Sequence, residues 1–183
     1  MIGRLNNKLA FLKMIFGNKE IFAIECYHDP ISNDRKWVYG RMCLWCSGIQ
    51  VGDIEETGCM LNVTEGFLQN FIESSNELSD KNLNKLGDRD LYKFLDEKLY
   101  SRLERSREQI VEDSRTYRKF DFLTSGGESF DTIRCFIVRK ENKYKLLLTD
   151  RFDDFYSFHI DSYLMENVII EFLIWMSNEK AKL

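Results

Sequence analysis

Residues 36–48, KWVYGRMCLWCSG, decide the fold. Trp37, Tyr39, Arg41, Cys43 and Trp45 alternate with Val38, Gly40, Met42, Leu44 and Cys46. Successive side chains of a strand point to opposite faces, so both faces here are largely apolar and the pattern predicts a central, doubly buried strand. Ser47-Gly48 predicts the turn that closes it. Upstream, EIFAIECY at 20–27 is rich in β-branched and aromatic residues and ends in the turn-forming HDPISND. Downstream, IQVGDI at 49–54 is a third short apolar run, and the three together predict an antiparallel meander.

After Gly58 the period changes. Phe67, Leu68, Phe71 and Ile72 repeat at the spacing of one helix face, predicting a short helix over 64–72. Following a polar stretch to Gly87, Asp88 is placed to cap a long charged helix ending near Asp113, along which Leu91, Leu95, Leu99 and Leu103 recur every four residues. Strands return as RKFDFL at 118–123, RCFIVRK at 134–140, KYKLLLTD at 143–150 and FYSFHI at 155–160, with Glu141-Asn142 as a tight hairpin connection. Asp161 is placed to cap a final helix over 162–177, with Leu164, Val168, Phe172 and Leu173 on its apolar face. The expected architecture is a single α+β domain over 14–183: a largely antiparallel sheet of about six or seven strands, two internal helices and a C-terminal amphipathic helix. Residues 1–13, with Arg4, Lys8 and Lys13, read as a basic extension, and Met14 as a natural start.

The 183 residues are 44% apolar and 14% aromatic, enough to build a core without disulfides or a structural metal. Five scattered cysteines, an odd number, suit a reducing compartment, so a cytoplasmic location is expected. The most hydrophobic stretch, VIIEFLIWM at 168–176, is short and carries Glu171, so neither a membrane span nor a membrane partner is expected. A formal charge of −4 argues against general affinity for nucleic acid and favours a basic partner.

Motifs that would carry catalysis are weak. Cys43 and Cys46 have redox or metal spacing, yet a separation of three within a strand sends them to opposite faces, so they read as core. His28 lies beside a proline turn and His159 in a strand near Asp161, so a Cys-His or Ser-His catalytic pair would depend on a chance long-range approach. Gly126-Gly127 lacks the helix, lysine and hydroxyl context of a phosphate loop and reads as a flexible turn. No cofactor or metal is expected. Asp131, Glu141 and Lys143 resemble a short nuclease pattern in which carboxylates hold Mg²⁺ and lysine polarises phosphate, although a hairpin tip is polar anyway.

Two acidic stretches stand out. Asp53, Glu55 and Glu56 have no basic neighbour between 50 and 65, while Asp150, Asp153 and Asp154 enclose only Arg151. Flanked by Phe152, and with Trp45, Phe155 and Tyr156 as aromatic anchors, these carboxylates form the expected protein-binding site: charge steers the encounter and rings supply buried area.

Met14-Ile15-Phe16-Gly17, Ile21 to Glu25, Trp37 to Trp45 and Gly52-Asp53 resemble the opening of bacterial immunity protein family 42. Phe130-Asp131, Phe136-Ile137-Val138, the strand ending at Asp150 and the closing helix are similar to that family's second half in order and spacing. The resemblance spans about residues 14 to 178. It implies a non-enzymatic cytoplasmic antitoxin, encoded beside a polymorphic or contact-dependent toxin, that neutralises the toxin's C-terminal domain by tight one-to-one binding. Such toxins are often nucleases with basic clefts, which an acidic protein can occlude. The resemblance carries no catalytic motif, and Gly40 and Gly52 read as positions of close backbone approach. Two alternatives stand beside it: a metal-dependent nuclease using Asp131, Glu141 and Lys143, and an adaptor docking through the 88–113 helix.

Overall fold

The computed structural model describes residues 12–29, 37–101, 104–124 and 126–182. Most of the basic extension, and most of the turn expected over 28–34, therefore lie outside the described residues. The first sheet contains β1 (Leu12–Asn18), β2 (Phe22–His28), β3 (Tyr39–Cys46), β4 (Ile49–Val51) and β5 (Cys59–Met60). Its order is β1-β2-β3-β4, with β5 pairing the start of β3, and every pairing is antiparallel. Then follow α1 (Leu61–Ser74), α2 (Asp88–Tyr100) and α3 (Arg107–Tyr117). The second sheet, β6 (Arg134–Lys140), β7 (Lys143–Thr149) and β8 (Phe155–Asp161), is an antiparallel meander closed by α4 (Ser162–Lys180).

The α+β class and the antiparallel strands are as expected, but the strands divide between two sheets. Alternation along β2 and β3 puts Phe22, Ile24, Cys26, Met42, Leu44 and Cys46 on one face, all buried. That face packs on α4, where Phe16 meets Phe172 edge-on with centroids 6.0 Å apart. Gly40 is required by close approach, since a Cβ there would lie 2.0 Å from the Tyr27 carbonyl oxygen. On the second sheet, Tyr144 packs inward against Phe71 of α1, centroids 5.2 Å apart. Its opposite face, carrying Phe136, is covered by α2 through Tyr92, centroids 5.3 Å apart. Cys43 and Cys46 are buried free thiols on opposite faces of β3.

Several expectations are corrected. The long helix over 88–113 is two helices, because Ser106 and Gln109 form a reciprocal capping box that starts α3 afresh. Arg105 fastens the elbow by donating to the Lys98 carbonyl oxygen at 2.8 Å and to Asp113 at 3.1 Å. Segment 118–123 is no strand: Arg118–Phe120 is a 3-10 turn, followed by a single bridge from Asp121 to Phe136. The helix expected from 64 begins at Leu61, and the third strand stops at Val51. Gly87, not Asp88, is the N-cap of α2. By contrast, Asp161 caps α4 by accepting the Leu164 N–H at 3.0 Å. Among the described residues, no helix is long and apolar enough to cross a membrane.

Candidate functional site

Where β4 ends, Gly52 turns the chain with φ +96°, and a Cβ there would lie 2.8 Å from Cε1 of Phe130. The Asp53 N–H then donates to the Ser129 carbonyl oxygen at 2.8 Å, and Cys59 Sγ lies 3.1 Å from Ser129 Oγ. These contacts pin the loop after β4 to the segment before β6. The end of β7 closes the other side, leaving a cleft of about 540 Å³. Its polar wall carries Asp53, Glu56, Glu128, Asp131 and Asp150 against, among the described residues, one cation, Arg151; its apolar wall includes Ile49, Val51, Ile133, Leu148, Phe152 and Tyr156. Desolvation and the nearby Asp150 and Asp154 carboxylates push the Tyr156 phenol up, as expected for a site of negative potential.

Of the residues expected at a binding site, Asp53, Glu56, Asp150 and Tyr156 converge on this cleft, although two came from one acidic stretch and two from the other end of the chain. Asp153 and Asp154 are exposed on the loop that contributes Asp150. Glu55 lies elsewhere, 3.6 Å from Arg41 beside Tyr27 and Ile54. Trp45 sits on the other face of the first sheet, where its indole N–H donates to Glu25 at 2.8 Å and Lys19 Nζ stands 4.0 Å from its ring centroid. Phe155 packs beneath α2, 5.5 Å from Tyr92 and 4.8 Å from the Arg89 guanidinium. Reasoning from sequence missed Glu128, and placed Phe152 only among the rings flanking the acidic stretches. The signal for Glu128 was its position immediately after Gly126-Gly127.

The nuclease alternative does not assemble. Asp131 lines the cleft, but Glu141 and Lys143 lie beyond the far end of β6, whose seven residues span roughly 20 Å. Among the described residues, no three His, Cys, Asp or Glu side chains are grouped to hold a metal ion. Both histidines face carboxylates: His28 Nδ1 lies 2.9 Å from Glu179, and His159 Nε2 lies 2.7 Å from Asp88. Asp88 also accepts from Lys145 at 2.8 Å and Ser157 at 2.6 Å. Burial opposes its ionisation, but these hydrogen bonds outweigh burial and hold the carboxyl well below the usual range. Ser157 and His159 thus both address Asp88, tying the first turn of α2 to the sheet. Leu91 and Leu95 of the leucine stripe are fully buried and belong to the core.

The family model described as Immunity protein 42 matches residues 14–175. Among solved structures, the chain is similar to the crystal structure of CdiI from Burkholderia dolosa AUO158. The TM-score is 0.60 at 16% identity, covering 88% of this chain and 99% of that one. At that identity the likeness is one of fold. No curated protein matches.

Proposed function

This chain belongs to the Immunity protein 42 family, and from that premise we propose that it binds and neutralises a cognate toxin protein through the cleft between its two sheets. The observation that supports the site is the convergence of Asp53, Glu56, Glu128, Asp131 and Asp150 around a cavity that, among the described residues, holds one arginine. Carboxylates lining one cleft project a negative field, which accelerates encounter with a basic surface and disfavours anionic partners. The toxin domain it suits is basic, of the nuclease type, and the complex is one-to-one in the cytoplasm. Neutralisation proceeds by occlusion: the carboxylates occupy the basic groups that would otherwise hold a polyanionic substrate.

The test is co-expression with the toxin domain encoded beside this chain, comparing wild type with Asp53→Lys/Glu56→Lys. Wild type is expected to restore growth and purify as a one-to-one complex whose association rate falls as salt rises. The double reversal should slow association by about 10-fold or more and flatten the salt dependence. Failure to restore growth together with absence of a complex would remove the reading; a complex indifferent to both charge reversal and salt would remove the cleft from it.

A further inference from the structure

Phe152 is 70% exposed, on the loop that forms one side of the cleft. Single exposed apolar residues are ordinary on protein surfaces. This one is held in place. The Asp150 carboxylate accepts the N–H of Phe152 at 2.8 Å and of Asp154 at 3.1 Å, through the same oxygen. The Asp150 N–H donates to the Asp154 carbonyl oxygen at 3.2 Å, and the Asp153 N–H donates to the Asp150 carbonyl oxygen at 3.1 Å. Four hydrogen bonds in five residues fix the backbone that carries the ring. The Arg151 guanidinium lies 4.8 Å from the ring centroid and backs it. The ring also continues the apolar wall of Ile49 and Tyr156, so it is part of a patch.

We propose that Phe152 is the aromatic anchor of the toxin interface, a preformed knob that enters an apolar recess of the partner while the adjoining carboxylates meet basic groups around that recess. This deepens the immunity reading of the cleft and rests on it. The occupant follows from charge: a second copy of this chain would bring two sets of carboxylates face to face, whereas a basic domain neutralises them. The division of labour follows from physics. Charges act at a distance and set association, while desolvation of an aromatic ring occurs only in the docked complex and sets dissociation. Because the loop is already ordered, little entropy is lost on docking, and burial of the ring is worth about 10- to 100-fold in affinity.

The experiment measures association and dissociation rates between the purified chain and the neighbouring toxin domain for wild type, Phe152→Ala, Phe152→Tyr and Asp53→Lys/Glu56→Lys. Phe152→Ala is expected to dissociate about 30-fold faster, the loss typical of a hot-spot residue, with association within about 2-fold and the thermal midpoint unchanged. Phe152→Tyr keeps the ring and should stay within about 5-fold of wild type, whereas the charge reversal should act on association. Phe152→Ala binding within about 2-fold of wild type overturns the anchor and leaves the immunity reading standing. Absence of any wild-type complex overturns the immunity reading, and the anchor with it. If the free chain is a dimer that Phe152→Ala dissociates, the occupant is a second copy and the proposal fails.

Discussion

The backbone N–H of Asp53 donates to the carbonyl oxygen of Ser129 at 2.8 Å, joining the loop that leaves the first sheet to the segment that enters the second. Across that bond the acidic residues after β4 face those before β6, and the cleft between the sheets acquires its charge. Neither stretch alone makes the site. The bond also explains why Gly52 precedes Asp53: the chain must turn with positive φ against the Phe130 ring to bring the Asp53 N–H within reach.

Gly52→Ala should therefore destabilise the domain. The added methyl meets Phe130 at 2.8 Å and Ser129 O at 3.2 Å, in a backbone region that disfavours side chains. A loss of about 2 kcal/mol is expected, lowering the thermal midpoint by roughly 4–8 °C. Gly66→Ala is the control: it is an exposed position within α1 with nothing near the new methyl, and should gain about 0.5–1 kcal/mol.

Part of the acid sensitivity should trace to Glu25, beside the contribution of Asp88. Glu25 is 4% exposed, and burial alone would raise its pKa; hydrogen bonds from Lys13, Lys19 and Trp45 reverse this and lower it to about 2 from an ordinary 4.5. A depressed pKa stabilises the fold fully above about pH 4.5, and that contribution, about 3 kcal/mol, is lost as pH falls towards 2. Urea unfolding across pH 2–7 should show a flatter acid limb for Glu25→Gln, which also starts from lower stability at neutral pH. Parallel profiles for wild type and variant would refute this assignment.

The leucines of α2 belong to the core, not to a docking seam. Leu91→Ala should cost about 2–5 kcal/mol in denaturant unfolding. Ile110→Ala, at a position 48% exposed on α3, should change stability by less than about 0.5 kcal/mol.

Ser106→Ala removes the α3 capping box at a cost of about 1 kcal/mol. Because α3 buries no residue, the loss should register as faster amide exchange confined to 107–117, with little change in the global midpoint.

The β2–β3 pair, the two tight hairpins and the Asp161 cap were legible because each is written in local alternation, turn chemistry or capping. Ser47 and Gly48, for instance, both adopt positive φ in the turn foreseen for them. The break after Tyr100 was legible too, in the Ser106-x-x-Gln109 signature, but the leucine period running past it from Leu91 masked the signal. The division into two sheets was not legible, since pairing partners distant in sequence leave no local mark. Trp45 was assigned to a surface by its aromatic character, whereas its indole N–H is committed to Glu25, twenty positions away. Charge alone singled out Asp53, Glu56 and Asp150; that they face one cavity depends on the Asp53–Ser129 contact, which only the fold supplies.

The central claim is that the partner covers the cleft between the sheets, and hydrogen exchange of the chain free and bound to its toxin domain tests it most directly. New protection is expected in 49–58, 126–133 and 148–156, the three segments that meet there. Protection confined to α2 and α3, or to the Glu25 and Trp45 face of the first sheet, would contradict it.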